Sequence, residues 1–251
     1  MNLSPAGMPL LIAGSLVSAL GQGVVRVENN FIPPGASAKA FVYYDYGSGV
    51  LVPKDRGRVE VLDQTGAVIS TVRDGTGNVF SAGGLFFLGE LSVPGTSPGG
   101  SAELEIRVWD PASGQTYESA WLRASTHVTV TRLGGGEIPV PKLGEVSNFT
   151  GLKLLGAKID SVKADAEKWS LRLNILPEVG YELSVSDDLV HWTDLYGRFS
   201  IPSDYQLPFP EPLPPPFHTY YWDLVYQNLP AWMNPAEDRT HYFRVTAVPQ
   251  P

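Results

Sequence analysis

The chain contains no cysteine among its 251 residues. Disulfide cross-links and thiolate metal sites are therefore excluded, and the cores must hold by packing alone. The chain also has no run of basic residues, and its net charge is −8. Because nucleic-acid binding depends on clustered Lys and Arg, we expect no nucleic-acid partner. An anionic membrane surface is disfavoured for the same reason.

Long hydrophobic runs are also missing. The longest, "MPLLIAGSLVSAL", covers residues 8–20 and is short of the roughly 20 residues that cross a bilayer. Ala19 and Gly21 have the spacing of a signal-peptidase cleavage site before Gln22. We predict a signal peptide over residues 1–21, and the alternative is a buried N-terminal strand or helix. The expected protein is secreted or held at the cell surface or in the periplasm, with no membrane span in the mature chain.

Glycine and proline are abundant, with 26 and 22 residues against average usages of about 7% and 5%. Many turns are expected, and long helices are disfavoured. From Gly23 onward, apolar residues alternate in short segments that turn signals separate, which is typical of an antiparallel sandwich. Gly66 and the pair Pro111 and Gly114 are predicted turn residues. The predicted strands of this first unit are "VVRVEN", "AKAFVYYDY", "GRVEVLD", "AVISTV", "GGLFFLGELSV", "AELEIRVWD", "TYESAWL" and "THVTVT".

The periodicity is lost in "LGGGEIPVPKLGEVSNFTG". We predict a Gly/Pro linker at residues 134–151, between an N-terminal β-sandwich at 22–133 and a C-terminal β-sandwich at 152–251. The predicted fold class is therefore all-β, with two immunoglobulin- or fibronectin-like domains.

The second unit also shows strand patterns. "AKIDSVKADAEKWSLRLNIL" is interpreted as two strands rather than a helix, because Trp169, Leu171 and Leu173 alternate with polar residues. "YELSVS", "WTDLY" and "THYFRVTAV" continue the β pattern. Seven prolines lie within residues 202–216, and we predict an extended polyproline loop there.

Functional-looking side chains are densest in "SVSDDLVHWTDL", residues 184–195. Adjacent carboxylates point in different directions, which does not suit a catalytic pair that converges on one bond. We interpret the stretch as a bend between two strands, capped by Ser186 or Asp187, with Leu189 and Trp192 on its inward side. The alternative is a calcium site that uses Asp187 and Asp188.

This stretch also carries a resemblance to a known family. "GYELSVSDDLVHWTDL" and the later "HYFRV" resemble the small β repeat at the end of many secreted proteins of Verrucomicrobia, Planctomycetes and related bacteria. The first unit is similar to the N-terminal domain of the same exported proteins. Its matching core residues are Val108, Trp109, Asp110, Gly114, Tyr117 and Glu118. The resemblance implies an exported two-domain β-protein of a group that often carries a Pro-Glu-Pro sorting tail and has no assigned activity.

Catalytic and metal-binding patterns are weak. "GTSPGGS" is interpreted as a turn rather than a nucleophile elbow, and the four histidines lack zinc-ligand spacing. We therefore expect no cofactor and no catalytic residue. Aromatic rings could stack against sugars, and the candidates for such a binding face are Tyr44, Tyr46, Tyr221 and Trp232. The aromatics assigned to cores are Trp109, Trp169, Trp192 and Trp222.

We predict an exported, non-catalytic protein that acts in binding or adhesion or as a structural part of the envelope. The expected partners are extracellular polysaccharide or envelope proteins, and the oligomeric state stays open. One alternative is a carbohydrate-binding module, which requires at least two coplanar exposed aromatics. Another is a polysaccharide hydrolase, which requires two carboxylates roughly 5 to 10 Å apart in a cleft. Its candidate carboxylates are Asp45, Asp74, Glu90, Asp110 and Asp223.

Overall fold

The computed structural model describes residues 21–44, 49–164, 168–176, 179–200, 218–225, 233 and 240–248, with the backbone alone at 196–197 and 218–225. Residues 1–20 of the predicted signal peptide, which covers residues 1–21, and the proline-rich loop at 202–216 lie outside these ranges. Within them, no helix is long and apolar enough to cross a membrane.

The regular elements of the described chain are almost all β-strands, which confirms the all-β prediction. Its first elements are β1 (Gly23–Glu28), β2 (Val42–Tyr44), β3 (Arg58–Asp63), β4 (Asn78–Val79), β5 (Phe87–Val93), β6 (Ala102–Trp109), β7 (Arg123–Val130), α1 (Leu143–Val146) and β8 (Leu152–Leu154). The others are β9 (Ala157–Ala164), β10 (Lys168–Ile175), β11 (Gly180–Ser186), β12 (Thr193–Phe199), β13 (His218–Val225) and β14 (Tyr242–Val248).

The largest sheet has the antiparallel order β4-β3-β6-β7. Buried and more exposed residues alternate along much of β6 and β7, as the sequence predicts, because successive side chains of a strand point to opposite faces. In β3, by contrast, the residues from Val59 to Asp63 are all buried. Val61 lies opposite Ile106 in the register, and both are fully buried. Val25 and Val93, from the antiparallel pair β1-β5, belong to the same buried cluster. This cluster is therefore built from the apolar half of each alternating strand.

Residues 134–151 differ from the predicted linker because they pack against the preceding strands. The Val24 N–H donates to the Gly134 carbonyl at 3.0 Å, and the reverse bond is 2.8 Å. Leu143 is fully buried and Phe149 is 2% exposed. Beyond this segment, β8 pairs in parallel with β2. The segment predicted as a linker thus contributes residues to the core.

The C-terminal strands form two antiparallel sheets, β13-β10-β9 and β12-β11-β14. The interpretation of "AKIDSVKADAEKWSLRLNIL" as two strands is confirmed, since it forms the paired strands β9 and β10. Leu171 and Leu173 on β10 are fully buried, as are Leu183 and Val185 on β11. In the described residues, no strand ladder joins β9–β14 to β1–β8.

Two predicted strands of the first unit are wrong. "TYESAWL" forms a turn, in which the Ala120 N–H donates to the Thr116 carbonyl at 2.9 Å. "AVISTV" makes only one isolated bridge with β3. The predicted turns are confirmed: Gly66 has a φ of +81°, and the Gly114 N–H donates to the Pro111 carbonyl at 3.3 Å. In these two segments, local hydrogen bonds within turns therefore replace the strand pairing that the alternating pattern predicts.

Candidate functional site

The bend between β11 and β12, residues 186–192 and here called the β11–β12 turn, is held by two side chains. Ser186 Oγ accepts from the N–H groups of Asp188 at 3.2 Å and Leu189 at 2.9 Å. Asp188 Oδ1 accepts from the N–H groups of Val190 at 2.8 Å and His191 at 2.7 Å. The prediction of a side-chain-capped bend thus matches the structure for Ser186, and the second capping residue is Asp188, next to the predicted Asp187.

Asp188 also pairs with a histidine of the same turn. Its Oδ2 lies 2.6 Å from His191 Nδ1, and the His191 side chain is 87% exposed. The hydrogen bond from the imidazole, with those from the backbone N–H groups of His191 and Val190, holds the pKa of Asp188 well below its usual range. In return, the carboxylate raises the pKa of His191. Both oxygens of Asp188 are therefore engaged in holding the turn.

The predicted inward position of Leu189 is wrong. Leu189 is 55% exposed and its neighbour Val190 is 72% exposed. Leu189 has a φ of +63° and is the one non-glycine residue with positive φ in the part of the chain that the structure describes. That left-handed backbone turns the side chain away from the sheets, and it costs roughly 1–2 kcal/mol for an L-residue. The turn thus presents two apolar side chains to solvent in a strained conformation.

Trp192 is not a core residue either. The ring is half-buried, and its Nε1–H donates to the Leu189 carbonyl at 3.2 Å. The Arg244 guanidinium from β14 lies 4.1 Å from the ring centroid, which is within cation–π range. Of the other tryptophans, Trp109 is fully buried as predicted, Trp169 packs partly buried against the core, and the Trp222 side chain lies outside the described residues.

The structure does not build a metal site around Asp187 and Asp188. Among the described residues, no three Asp, Glu, His or Cys side chains come together to hold a metal ion. A calcium ion takes six to eight oxygen ligands, and the oxygens of Asp188 already accept from the turn and from His191. Asp188 is therefore a structural residue of the turn.

The four candidate aromatics are only partly described. Tyr44 is 1% exposed, and its hydroxyl donates to Asp110 Oδ2 at 2.6 Å. The Arg56 guanidinium lies 2.8 Å from the same oxygen. The prediction that Tyr44 lies on an exposed face is therefore wrong, since β2 turns this residue inward. Tyr46, Trp232 and the side chain of Tyr221 lie outside the described residues.

A different pair of rings is formed by Tyr43, on the outward side of β2, and Phe41, which immediately precedes the strand; we call them the β2 aromatic pair. Both are half-buried, and their centroids are 6.0 Å apart with an interplanar angle of 77°. Lys153 of β8 lies beside Tyr43 in the parallel register. The sequence suggested Tyr44 instead of Tyr43 for the binding face. Two adjacent tyrosines do not show which of them points outward from the strand.

An ion cluster on β3 and β6 was also missed from the sequence. Arg107 lies 3.0 Å from Glu105, 3.1 Å from Glu118 and 3.6 Å from Glu60. Burial raises the pKa of Glu60, which is 4% exposed. Burial also acts to raise the pKa of Glu105, but the hydrogen bond and charge of Arg107 outweigh it and the pKa is lowered. The signal for this cluster was the cross-strand pairing of Glu60 with Arg107.

Of the carboxylates considered for hydrolysis, the structure describes the side chains of Asp74, Glu90 and Asp110. Asp110 is fully buried and bonded to Tyr44. Asp74 accepts from a threonine two residues further on, and Glu90 pairs with an arginine across the ladder. Asp45 and the side chain of Asp223 lie outside the described residues. Each of the three described carboxylates has a structural partner.

Comparison with known proteins identifies no family for this chain. No protein-family model, curated protein or solved structure matches it. The function must therefore be inferred from the geometry of the described residues.

Proposed function

We propose that the protein is exported and acts by binding or adhesion without catalysis, and that the β11–β12 turn contacts its partner. The observation that carries this proposal is Leu189, which is both left-handed and 55% exposed. Strained residues that the surrounding structure holds in place cluster at ligand clamps and functional sites. A connection with no further role would be more stable with glycine at this position.

The turn is suited to binding because it is ordered before a partner arrives. Its backbone N–H groups are satisfied by Ser186 and Asp188. Ordering a flexible side chain on association costs about 0.5–1.5 kcal/mol each, and a fixed turn avoids part of this loss. Leu189 and Val190 are the apolar groups that a partner would remove from water.

The proposal includes export through the predicted signal peptide, residues 1–21, to the cell surface, the periplasm or the medium. It also includes two immunoglobulin- or fibronectin-like sandwich domains, in line with the resemblance to exported proteins of Verrucomicrobia and Planctomycetes. The alternating burial along β10 and the nearly continuous burial of β11 support the sandwich assignment. Envelope proteins and extracellular polysaccharide are the proposed partners.

The test measures retention of the purified protein on cell-envelope fractions and on insoluble extracellular polysaccharides. We expect Leu189→Gly combined with Val190→Ser to weaken retention at least tenfold, which corresponds to about 1.4 kcal/mol. Val79→Ser is the matched control, because Val79 is 52% exposed but lies on β4 in another sheet. Equal retention of the double variant and the wild type would contradict the role of the turn.

A second candidate function, carbohydrate binding, is favoured by the β2 aromatic pair. Tyr43 faces outward with part of its ring accessible, as stacking on a sugar requires. The 77° angle between the two rings means that only one of them can lie flat against a given sugar. The pair is therefore not the set of coplanar rings that we expected of a carbohydrate-binding module. We expect Tyr43→Ala to weaken binding to a polysaccharide panel roughly threefold to tenfold. Unchanged binding would exclude this site.

A further inference from the structure

The mature protein has an uncommon first residue if export removes residues 1–21. Cleavage after Gly21 leaves Gln22, which is exposed, at the N-terminus. We propose that the amine of Gln22 closes onto its own side-chain amide, so that the exported protein begins with pyroglutamate. This inference rests on the export in the proposed function and adds a modification site to it.

The structure shows that the folded part of the chain begins directly after this residue. Gly23 starts β1 and pairs with Val93. A Cβ built on Gly23 would lie 2.5 Å from a methyl carbon of Leu133 and 2.7 Å from the hydroxyl of Thr96. Residue 23 is therefore held against its neighbours. Gln22 precedes the β1–β5 ladder, so cleavage before it leaves every bond of that ladder in place.

The backbone beyond Gly23 is also fixed. The Val24 N–H donates to Gly134, and its carbonyl accepts in return. On the other side, a Cβ built on Gly135 would lie 3.0 Å from the Gln22 carbonyl oxygen. Gly135 therefore lies close to the carbonyl end of Gln22, and Gln22 as a residue is exposed. The ring closure involves only atoms of residue 22, and it needs no movement of β1.

The reaction balances without a co-reactant. The neutral amine nitrogen of Gln22 attacks the side-chain carbon Cδ, and a C–N bond forms that closes a five-membered lactam. The bond from Cδ to the side-chain nitrogen breaks, and that nitrogen leaves as ammonia with a proton from the attacking amine. An α-amino group has a pKa of about 7.7–8.0, so a sizeable fraction is neutral near pH 7. Reacting groups held within one residue have a high effective concentration.

The expected consequences are chemical and local. The lactam removes the positive charge of the α-amine and the free amine that aminopeptidases require. Aminopeptidases of this kind therefore cannot start to digest the chain at residue 22. The strand pairing of β1 stays as described, because the ladder starts at Gly23.

The test expresses the full chain in a bacterium that exports it and measures the intact mass of the exported protein. We expect the mass of residues 22–251 less one ammonia, and we expect pyroglutamyl aminopeptidase to expose Gly23 as the new first residue. Gln22→Ala is the control: it should be cleaved at the same position and show no loss of ammonia. An ammonia loss that persists in Gln22→Ala comes from another amide and overturns the assignment.

The other outcomes separate this inference from the proposal on which it rests. An exported chain that begins at Gln22 and keeps its full mass after prolonged incubation overturns the cyclisation but agrees with export. A chain that begins at any other residue overturns the cyclisation at Gln22. A full-length chain that stays inside the cell overturns export as well.

Discussion

Replacing Tyr44 with phenylalanine removes a single hydroxyl from a buried ion pair. Tyr44 is 1% exposed and Asp110 is fully buried. Asp110 Oδ2 accepts the tyrosine hydroxyl at 2.6 Å and lies 2.8 Å from the Arg56 guanidinium. Its other oxygen accepts from the Ala112 N–H at 2.9 Å. The substitution keeps the aromatic ring, so it tests the hydroxyl and not the packing.

The magnitude follows from these contacts. A hydrogen bond to a charged group contributes about 1.5–3 kcal/mol to stability. Since Arg56 and Ala112 still contact Asp110 in the variant, we expect a loss near the lower part of this range, about 2 kcal/mol. For a protein of this length the melting temperature changes by about 2–4 °C per kcal/mol, so a decrease of about 4–8 °C follows. Tyr44→Ala would also leave a cavity and lose about 3–5 kcal/mol.

The assay is urea unfolding of the purified protein followed by circular dichroism. Tyr43→Phe is the matched control, because it removes the same hydroxyl from the preceding residue of β2, which faces outward. The free energy of unfolding of this control should change by less than about 0.5 kcal/mol. A Tyr44→Phe variant as stable as the wild type, or a Tyr43→Phe variant equally destabilised, would refute the inward assignment of Tyr44. Ligand binding should be unchanged in Tyr44→Phe.

Three further outcomes follow from the structure. Asn29→Ala should destabilise the protein by about 3–5 kcal/mol in urea unfolding, because the buried amide bonds three backbone groups at 2.6–2.9 Å; a loss under about 1 kcal/mol would contradict this. Gly77→Ala should lose more than about 2 kcal/mol by the same assay, since its φ is +71° and its Cβ would lie 2.2 Å from the Trp109 ring. By NMR titration, the pKa of His191 should exceed about 6.5 and fall in Asp188→Asn, because the carboxylate favours the protonated ring. The stability from protonated His191 is present at low pH and is lost as the pH rises through its folded-state pKa.

Sequence patterns predicted a turn between β11 and β12 but not which of its side chains are exposed. The polar residues Ser186 and Asp188 have short side chains that bond nearby backbone groups, which is a local property. The exposure of Leu189 depends on its φ of +63°, which a helix-like spacing of Leu189 and Trp192 does not predict. The position of Trp192 depends on Arg244, which β14 brings from a distant part of the chain. Local chemistry therefore predicted the capped bend and the role of Ser186, whereas the position of the Trp192 ring depends on strand pairing.

In β2 too, the sequence predicted the strand, whereas tertiary contacts decided which of its residues is buried. Its aromatic residues predicted a strand, but two adjacent tyrosines fit either phase, and shifting the phase by one residue exchanges the inner and outer faces. Asp110 lies inside the fold, where it accepts the Tyr44 hydroxyl and pairs with Arg56, and this contact selects Tyr43 as the outward residue. The segment at 134–151 was predicted as a linker because glycine and proline interrupt any alternation of its few apolar residues. Leu143 and Phe149 are nevertheless buried.

By itself, the sequence determined the secondary structure class, the absence of disulfide and thiolate chemistry, and the position of most strands. These properties depend on composition and on a period of two residues, both of which are local. Only the tertiary structure decided that β8 pairs in parallel with β2, that Arg107 gathers carboxylates from separate segments, and that Leu189 faces solvent. The physical reason is that alternation says which residues share a face, whereas contacts between segments far apart in the chain decide which face is buried and what lies against it.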